Sequence, residues 1–421
     1  MRGHFDPITP DKPADMATPI KLLHVFGRMD RGGAEMRTLE VLRHVDRDRF
    51  QFHFCTLAGV HGELDDELRA MGSPVHSVRY NSIAFSRHFG ALLQEHRFDV
   101  VYSHVLNYAG LIMRLAARHG VPIRVALSHS LHDGRGANLP RAMYRRLMRR
   151  WIDRYATNIL AVGEGVMVNA RGPNWTDDPR CEVIYNGINV EPFRVADHAT
   201  VDGEMLREEF GLPTGGPLYI HVGHMRPPKN HGRLLAIFAA VRRRQPDASL
   251  LLVGHGEKSV EQSLRRQAAE LGLCRSVVFC GERTDVLRLL AAADAMIFPS
   301  LWEGLPSVVI EAAAVGTPVL ATDLPGVRDI ATRLPLVHHL SLDQSDSQWA
   351  ASLENLVQTT APVRETARQD FHNSVFTIDQ CARQHRRIWE GNTGKRRVCA
   401  CTHANETRNK KLGTFVVRSA N

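Results

Sequence analysis

Short apolar runs alternate along this chain with longer segments in which apolar residues recur every three or four positions. The first run covers 20–26 and ends at a glycine, and the segment 34–45 that follows has apolar side chains on one helical face. A short apolar run predicts a buried strand, and the longer period predicts an amphipathic helix. The chain therefore begins with a strand–loop–helix unit.

The same alternation continues through the first half of the chain. Further strands are predicted at 50–57, 74–78, 99–103, 123–128 and 158–162. Helical patterns separate most of these runs. A regular exchange of strand and helix predicts a parallel sheet that is covered by helices on both faces.

A second series of the same kind begins near Pro217. Its predicted strands are 218–222, 249–253, 276–280, 295–298 and 318–321, and its predicted helices are 232–244, 260–271, 284–292 and 307–315. We predict an α/β fold of two facing Rossmann-like doubly wound domains, 19–195 and 217–375, joined by a linker at 196–216. Such sheets bind ligands beyond the carboxyl ends of their strands, which predicts a ligand in the cleft between the domains.

Both ends of the chain differ from this pattern. Residues 1–18 are polar, residues 391–421 are polar, basic and aperiodic, and both segments are predicted to be disordered. The last predicted helix lies within 376–390. No run of about 18 apolar residues occurs, so no membrane-spanning helix is predicted.

Charge and cysteine content narrow the class of protein. The net charge is +8, but the segment 391–421 has seven Lys/Arg residues and one acid and so accounts for +6 of it. A nearly neutral body argues against a nucleic-acid-binding protein. The seven cysteines are irregularly spaced, which predicts reduced thiols in a cytoplasmic protein rather than a disulfide framework.

The segment 300–311, Ser-Leu-Trp-Glu-Gly-Leu-Pro-Ser-Val-Val-Ile-Glu, carries the strongest chemical signal. It joins a predicted strand to a predicted helix, with Glu303 in the loop and Glu311 inside the helix. Free amides at a helix N-terminus suit a diphosphate, and carboxylates accept hydrogen bonds from paired hydroxyls. A sugar nucleotide offers both groups. The spacing alone also fits a helix cap at Glu303 and a solvated helix acid at Glu311.

Glu303 and Glu311, with seven residues between them, resemble the E-x7-E motif of the family-four retaining glycosyltransferases, which have the GT-B fold. Other segments are similar to that family as well. They are 186–189 (Asn-Gly-Ile-Asn), 253–257 (Val-Gly-His-Gly-Glu), 283–286 (Arg-Thr-Asp-Val), 292–300 and 311–319. The resemblance covers roughly 19–390 and implies that the C-terminal helix returns to the N-terminal domain.

The resemblance also implies roles for residues on the donor side of the cleft. Glu311 is expected to bind the donor ribose, and Glu303 is expected to hold hydroxyls of the transferred sugar. Backbone N–H groups of Gly304 and Leu305 are expected to assist. Lys229 matches the family's phosphate-binding lysine, so Lys229 and Glu303 are candidate catalytic residues.

One position departs from the family's pattern. The arginine that the family has just after its Val-Gly pair is His224 in this chain. Arg226, two residues further on, is our candidate for the second cation at the donor phosphate. A solvent-exposed Arg226 without that role is the alternative.

Two further candidates lie in the N-terminal domain. Gly33, in the sequence Gly-Gly-Ala-Glu, resembles the family's glycine-rich loop, where glycine lets the backbone adopt positive φ and approach a ligand. His129 ends a predicted strand and matches an acceptor-side histidine, so it is the third candidate catalytic residue. His104 is a poorer candidate for that role. A simple turn and a packed histidine are the alternatives.

The arginine-rich segment 141–154 has an apolar stripe beside its arginines. This pattern predicts a surface helix packed on the sheet, and its arginines suit contact with anionic lipid. The Asp-x-Asp at 46–48 has the form of a metal site, but it lies away from the expected cleft. We predict no metal there.

The resemblance implies a retaining hexosyltransferase that moves a sugar from a UDP- or GDP-sugar to a glycan or lipid-linked acceptor in cell-surface polysaccharide synthesis. It implies no cofactor and no bound metal. The expected location is the cytoplasm, with peripheral contact at the inner face of the membrane. A sugar-nucleotide epimerase or phosphorylase on the same fold is the alternative. A nicotinamide-dependent oxidoreductase is disfavoured because G-x-G-x-x-G does not follow the first strand.

Overall fold

A computed structural model of the chain describes residues 18–80, 84–131, 138–191 and 203–391. Within these ranges the first half forms a seven-stranded parallel sheet in the order β3-β2-β1-β4-β5-β6-β7. Its strands are β1 (Ile20–Phe26), β2 (Phe50–Thr56), β3 (Val75–Ser77), β4 (Val100–Ser103), β5 (Ile123–Ser128), β6 (Asn158–Ala161) and β7 (Cys181–Val183). Its helices are Gly33–His44, Asp65–Ala70, Phe85–His96, Ala109–Arg118, Leu139–Tyr155 and Glu164–Arg171.

Among the described residues of the second half, six strands form a parallel sheet in the order β10-β9-β8-β11-β12-β13. Its strands are β8 (Leu218–Val222), β9 (Ser249–Val253), β10 (Val277–Gly281), β11 (Ala295–Phe298), β12 (Val319–Thr322) and β13 (Val337–Leu340). Its helices are Gly203–Glu209, His231–Arg244, Lys258–Glu270, Val286–Ala292, Ser307–Ala314, Pro325–Ala331, Asp346–Leu356 and Ala361–Phe371.

The central strands explain why the sequence shows apolar runs. Every residue of β4, β9, β11 and β12 is buried, because helices cover both faces of each sheet. Both sheets have the doubly wound order, which reverses beside β1 in the first sheet and beside β8 in the second. The predicted fold class is therefore confirmed.

The C-terminal helix, Ile378–Trp389, returns to the first domain. Trp389 packs edge-on against Phe50 and Phe52, with ring centroids 5.2 and 5.3 Å apart. The Tyr102 hydroxyl lies 3.0 Å from His385 Nδ1. The return of this helix, which the resemblance implied, is confirmed.

Part of the predicted linker at 196–216 is helical, because Gly203–Glu209 forms a helix. Its Arg207 is buried, and the guanidinium donates to the carbonyl oxygens of Pro213, at 3.2 Å, and of Gly216. A segment with a buried, fully engaged arginine is packed against the second domain rather than a free connector.

The sequence patterns missed the edge strands β7 and β13. They are three and four residues long. His338 and His339 of β13 are exposed, since an edge strand is only partly covered. Neither strand therefore produces an apolar run.

The arginine-rich helix Leu139–Tyr155 packs chiefly on the helix Ala109–Arg118, not on the sheet as predicted. Gly110 permits this close contact, since a Cβ there would lie 2.3 Å from the Met148 carbonyl oxygen. Met148 is buried, whereas Met143 is 67% exposed. The predicted apolar stripe is thus only partly covered.

Of the segments predicted to be disordered, 1–18 and 391–421, all but Thr18 and Gly391 lie outside the described ranges. In the part of the chain that the structure describes, no helix is both long and apolar enough to cross a membrane.

Candidate active site in the cleft between the sheets

The turn after β11 holds the two carboxylates that the sequence singled out. Pro306, in an extended conformation, precedes the helix Ser307–Ala314. Within the described residues, the backbone N–H groups of Gly304 and Leu305 make no hydrogen bond. Unpaired amides before a helix, at the carboxyl edge of a sheet, favour an anion.

Glu303 is paired with Lys229. The Lys229 Nζ lies 2.7 Å from Glu303 Oε1, and the two side chains are only 22% and 15% exposed. Lys229 passes over Gly223, where a Cβ would lie 3.1 Å from the lysine Cε, and its Nζ is 4.8 Å from the centre of the Phe298 ring. The structure thus brings two candidate catalytic residues to one point of the cleft.

Hydrogen bonds tie the lysine turn to the carboxylate loop. The Leu301 amide donates to the Pro228 carbonyl oxygen at 2.7 Å, and Asn230 Nδ2 donates to the Pro299 carbonyl oxygen at 3.1 Å. Asn230 has a positive φ of 56°, a conformation that asparagine tolerates better than most residues. The two loops therefore form one unit at the edge of the second sheet.

Arg226 is separate from this unit. Its side chain is exposed and, among the described residues, makes no ion pair or hydrogen bond. His224 is half-buried, and its Nε2 lies 3.4 Å from the Arg31 carbonyl oxygen across the cleft. A phosphate-binding role for Arg226 stays a prediction.

Glu311 is paired with a residue that sequence reasoning missed. Arg37, on the helix Gly33–His44 of the first domain, extends across the cleft, and its Nη2 lies 3.2 Å from Glu311 Oε1. Its Nη1 lies 2.8 Å from Glu40 Oε2. Burial raises the pKa of Glu40, and the Arg37 charge opposes that shift. The available signal was the position of Arg37 just after the glycine-rich loop.

The glycine-rich loop itself differs from its prediction. Gly32 is extended, with φ −94° and ψ 167°, and neither Gly32 nor Gly33 has positive φ, so the expected positive-φ loop is wrong. A Cβ at Gly32 would lie 2.3 Å from Glu35 Oε2, the end of a flexible side chain, so a larger residue there would displace that carboxylate. Gly33 has open space around its Cα. Burial raises the pKa of Glu35 to about 7.

The two domains touch where the carboxylate loop meets the end of β5. A Cβ on Gly304 would lie 2.0 Å from the His129 carbonyl oxygen, and a Cβ on Gly326 would lie 1.8 Å from the Gly304 carbonyl oxygen. Asn186 Nδ2 donates to Ser307 Oγ at 3.2 Å. Because larger residues do not fit at 304 and 326, glycine there sets the distance between the acceptor-side histidine and the carboxylate loop.

Three histidines form a hydrogen-bonded row that ends at His129. His24 Nδ1 lies 3.0 Å from His104 Nε2, and His104 Nδ1 lies 2.8 Å from His129 Nε2. Burial lowers the pKa of His24 to about 3 and that of His129 to about 4, and it also lowers the pKa of His104. The rings are neutral near pH 7, so the tautomer of each one determines that of the next. His104, the poorer candidate by sequence, links the other two.

Two family models match this chain, one for each sheet. Residues 31–192 match the model described as Glycosyltransferase Family 4. Residues 202–359 match the model described as Glycosyl transferases group 1.

Individual proteins match over most of the chain. The putative glycosyltransferase EpsF of Bacillus subtilis is 29% identical over 365 residues, which are 86% of this chain and 94% of EpsF. The capsular polysaccharide biosynthesis glycosyltransferase CapH of Staphylococcus aureus is 26% identical over 89% of this chain and 99% of CapH. The crystal structure of Anabaena Alr3699/HepE in complex with UDP and glucose has a TM-score of 0.71 at 19% identity, over 88% of this chain and 100% of HepE. At that identity the structural match shows a common fold.

Two facing doubly wound domains have the GT-B architecture, and both family models that match them describe glycosyltransferases. The two family models divide the chain as its two sheets do. Residues 31–192 of this chain form a domain of the Glycosyltransferase Family 4 type, and residues 202–359 form a domain of the Glycosyl transferases group 1 type.

Proposed function

We propose that this glycosyltransferase is a retaining hexosyltransferase that moves a sugar from a UDP- or GDP-sugar to a glycan or lipid-linked acceptor in cell-surface polysaccharide synthesis. The Lys229–Glu303 pair, with 2.7 Å between Nζ and Oε1, is the observation that carries this proposal. Glu303 of this pair lies in the same loop as the unpaired amides of Gly304 and Leu305. The cation and the amides favour a diphosphate, and the carboxylate accepts hydrogen bonds from sugar hydroxyls.

Glu311 binds the donor ribose in this proposal. Its present partner is Arg37, at 3.2 Å. Both side chains are largely buried, at 13% and 17% exposed. In the proposed complex the ribose diol donates hydrogen bonds to Glu311 in place of the Arg37 contact.

The reaction breaks the bond between the anomeric carbon and the phosphate oxygen, and it joins that carbon to the acceptor oxygen on the same face. Lys229 and the amides of Gly304 and Leu305 stabilise the charge that develops on the leaving diphosphate. The leaving phosphate oxygen takes the acceptor's proton, so no separate base is required. His129, neutral near pH 7 because burial lowers its pKa to about 4, orients the acceptor hydroxyl. The proposal includes no metal and no cofactor.

The similar proteins support this choice of donor and process. CapH is a glycosyltransferase of capsular polysaccharide biosynthesis, and the HepE crystal structure contains UDP and glucose. The match extends over 99% of CapH, so the proposal concerns the whole chain rather than one domain.

We further propose that the helix Leu139–Tyr155 lies on an anionic membrane, where a lipid-linked acceptor would be presented. Leu139 and Met143 are 76% and 67% exposed, and Arg146 and Arg149 are exposed as well. Apolar side chains beside arginines are typical of an interfacial helix. Sedimentation with anionic vesicles tests this. We expect Met143→Asp to weaken binding and the distant Arg265→Glu to leave it unchanged, and equal binding by Met143→Asp would contradict the proposal.

The donor is tested with a panel of nucleotide sugars, scored by thermal shift and by hydrolysis. We expect one nucleoside diphosphate and its sugar to stabilise the protein. Glu311→Ala should weaken that binding about 10–100-fold, while the control Glu270→Ala, at an exposed position, should not. If no nucleoside diphosphate binds, the proposal is wrong. Product analysis by NMR then reports whether the anomeric configuration is retained.

A sugar-nucleotide epimerase or phosphorylase on the same fold is the alternative. An epimerase converts its donor without an acceptor, and a phosphorylase requires inorganic phosphate and releases a sugar 1-phosphate. Product analysis with and without acceptor and phosphate separates the three. Activity that persists in EDTA is the expected result for a transferase that uses Lys229 in place of a metal.

A further inference from the structure

Three histidines outside the cleft converge at the edge of the first sheet. They are His53 on β2, His76 on the edge strand β3 and His96 at the end of the helix Phe85–His96. One ring nitrogen from each lies within 4.8 Å of the other two. His53 Nδ1 and His76 Nε2 are 3.1 Å apart. All three side chains are half-buried.

This cluster is separate from the glycosyltransferase site. His96 ends a helix whose chain continues into the beginning of β4, so it lies toward the amino edge of the parallel sheet. The cleft lies at the carboxyl edge. The proposed reaction therefore has no use for these three histidines.

The spacing of the nitrogens suits a metal ion. Tetrahedral zinc with Zn–N bonds of about 2.0–2.1 Å places its ligand nitrogens about 3.3 Å apart. The His53–His76 pair, at 3.1 Å, is already near that spacing, and the His96 nitrogen lies within 4.8 Å of both. Phe98 packs against His53 and His96, with ring centroids 5.1 and 5.5 Å apart, and so restricts both rings.

Two features near the three histidines favour a bound cation, and one positive charge opposes it. The C-terminal end of a helix, where His96 lies, has partial negative charge. Glu95 Oε1 lies 3.8 Å from His96 Nε2 and is a candidate fourth ligand. Lys21 opposes a cation, since its charge acts on His53. A fourth ligand with negative charge offsets that repulsion.

We infer that His53, His76 and His96 bind one Zn²⁺ ion, with Glu95 or water as the fourth ligand. The ion would join three elements, β2, the edge strand β3 and the helix Phe85–His96. β3 has only three residues and pairs with one neighbour, within the described residues. The role of the ion is thus to fasten the edge of the acceptor-side domain.

The test uses full-length protein without a histidine tag, stripped with EDTA and titrated with Zn²⁺ by calorimetry. We expect one equivalent to bind and to raise the melting temperature by about 5 °C or more at a hundredfold excess over Kd. Co²⁺ in place of Zn²⁺ should give the visible absorption of a tetrahedral site. Absence of Zn²⁺ binding at micromolar concentration overturns the inference.

Matched variants locate the ion. His76→Ala and His96→Gln should each weaken Zn²⁺ binding by about 100-fold or more, since even loss of an outer-shell partner costs about 10–100-fold. His88→Ala, at an exposed position on the same helix, should bind like the wild type. If His76→Ala does not fold, His96→Gln decides the question, because its side chain is 26% exposed and packs less deeply. Unchanged binding by the folded His96→Gln variant overturns the inference.

Discussion

The two sheets share a strand order but differ in the chemistry at their carboxyl edges. The first sheet presents the neutral row that ends at His129, whereas the second presents the charged pair Lys229–Glu303. In the proposed reaction the acceptor hydroxyl is neutral and the donor diphosphate is charged, so the proposal assigns one substrate to each edge. The topology sets where ligands bind, and the loops after the strands set what binds.

The carboxylates at the two edges show the same difference. Glu303 of the second domain has Lys229 beside it. Glu35 of the first domain has no ion pair within the described residues, and burial raises its pKa to about 7. Burial without an opposite charge thus brings the pKa of Glu35 close to neutral pH, where this acid exchanges a proton.

The largest expected effect is at Lys229. Lys229→Ala should lower kcat by about 10²–10³-fold, because it removes one charge that stabilises the leaving diphosphate. The exposed Lys258→Ala is the control. Steady-state rates with saturating donor measure the change. If His129→Ala lowered kcat by about 10²–10³-fold and Lys229→Ala lowered it little, the catalytic charge would lie at the edge of the first sheet, contrary to this prediction.

A smaller effect is expected on stability at Glu35. Its pKa is raised from 4.5 to about 7, so the folded protein holds a proton that the unfolded chain has lost between these values. The contribution of Glu35 to the free energy of unfolding is therefore most favourable below pH 4.5, and it is lost as the pH rises from 4.5 to about 7. Glu35→Gln should therefore become more stable than the wild type over that range, by about 1–3 kcal/mol after allowance for solvent.

Urea unfolding at several pH values measures this difference. Glu270→Gln, at an exposed position, should follow the wild type at every pH. The free energies of unfolding of the wild type and of Glu35→Gln should differ by an amount that changes with pH. If that difference is constant between pH 4.5 and 8, Glu35 is not a buried, unpaired acid.

The row of histidines should affect the acceptor alone. His129→Ala should lower kcat/KM for the acceptor by about tenfold, the value of one hydrogen bond, and leave donor affinity unchanged. His104→Phe, which removes the neighbour that sets the His129 tautomer, should show a smaller loss in the same parameter. His88→Ala is the control, and a change in donor Kd for His129→Ala would contradict the division between the edges.

The smallest effect is expected where the two edges meet. Arg37→Ala removes the cross-cleft partner of Glu311 and should raise affinity for the nucleoside diphosphate by up to about fivefold, or about 1 kcal/mol, because the ribose no longer competes with Arg37 for the carboxylate. Calorimetric titration measures it. A clear loss of affinity would mean that Arg37 itself contacts the donor.

Much of the fold followed from local pattern. The strands β1, β5, β8, β9 and β11 begin and end where the apolar runs do, because a strand covered by helices on both faces is largely apolar. The short edge strands β7 and β13 did not follow, because a partly covered strand has no such run. The helix Leu139–Tyr155 was predicted, but not that Met143 would be exposed.

By itself, the sequence determined the strand–loop–helix setting of Glu303 and Glu311 and the turn that holds Lys229, since each lies within one short segment. Only the tertiary structure decided that Arg37 meets Glu311, that His104 joins His24 to His129, and that the histidines at 53, 76 and 96 converge. These contacts join residues from separate segments. Their distance depends on strand order and domain packing, which arise from the burial of the whole chain rather than from any local pattern.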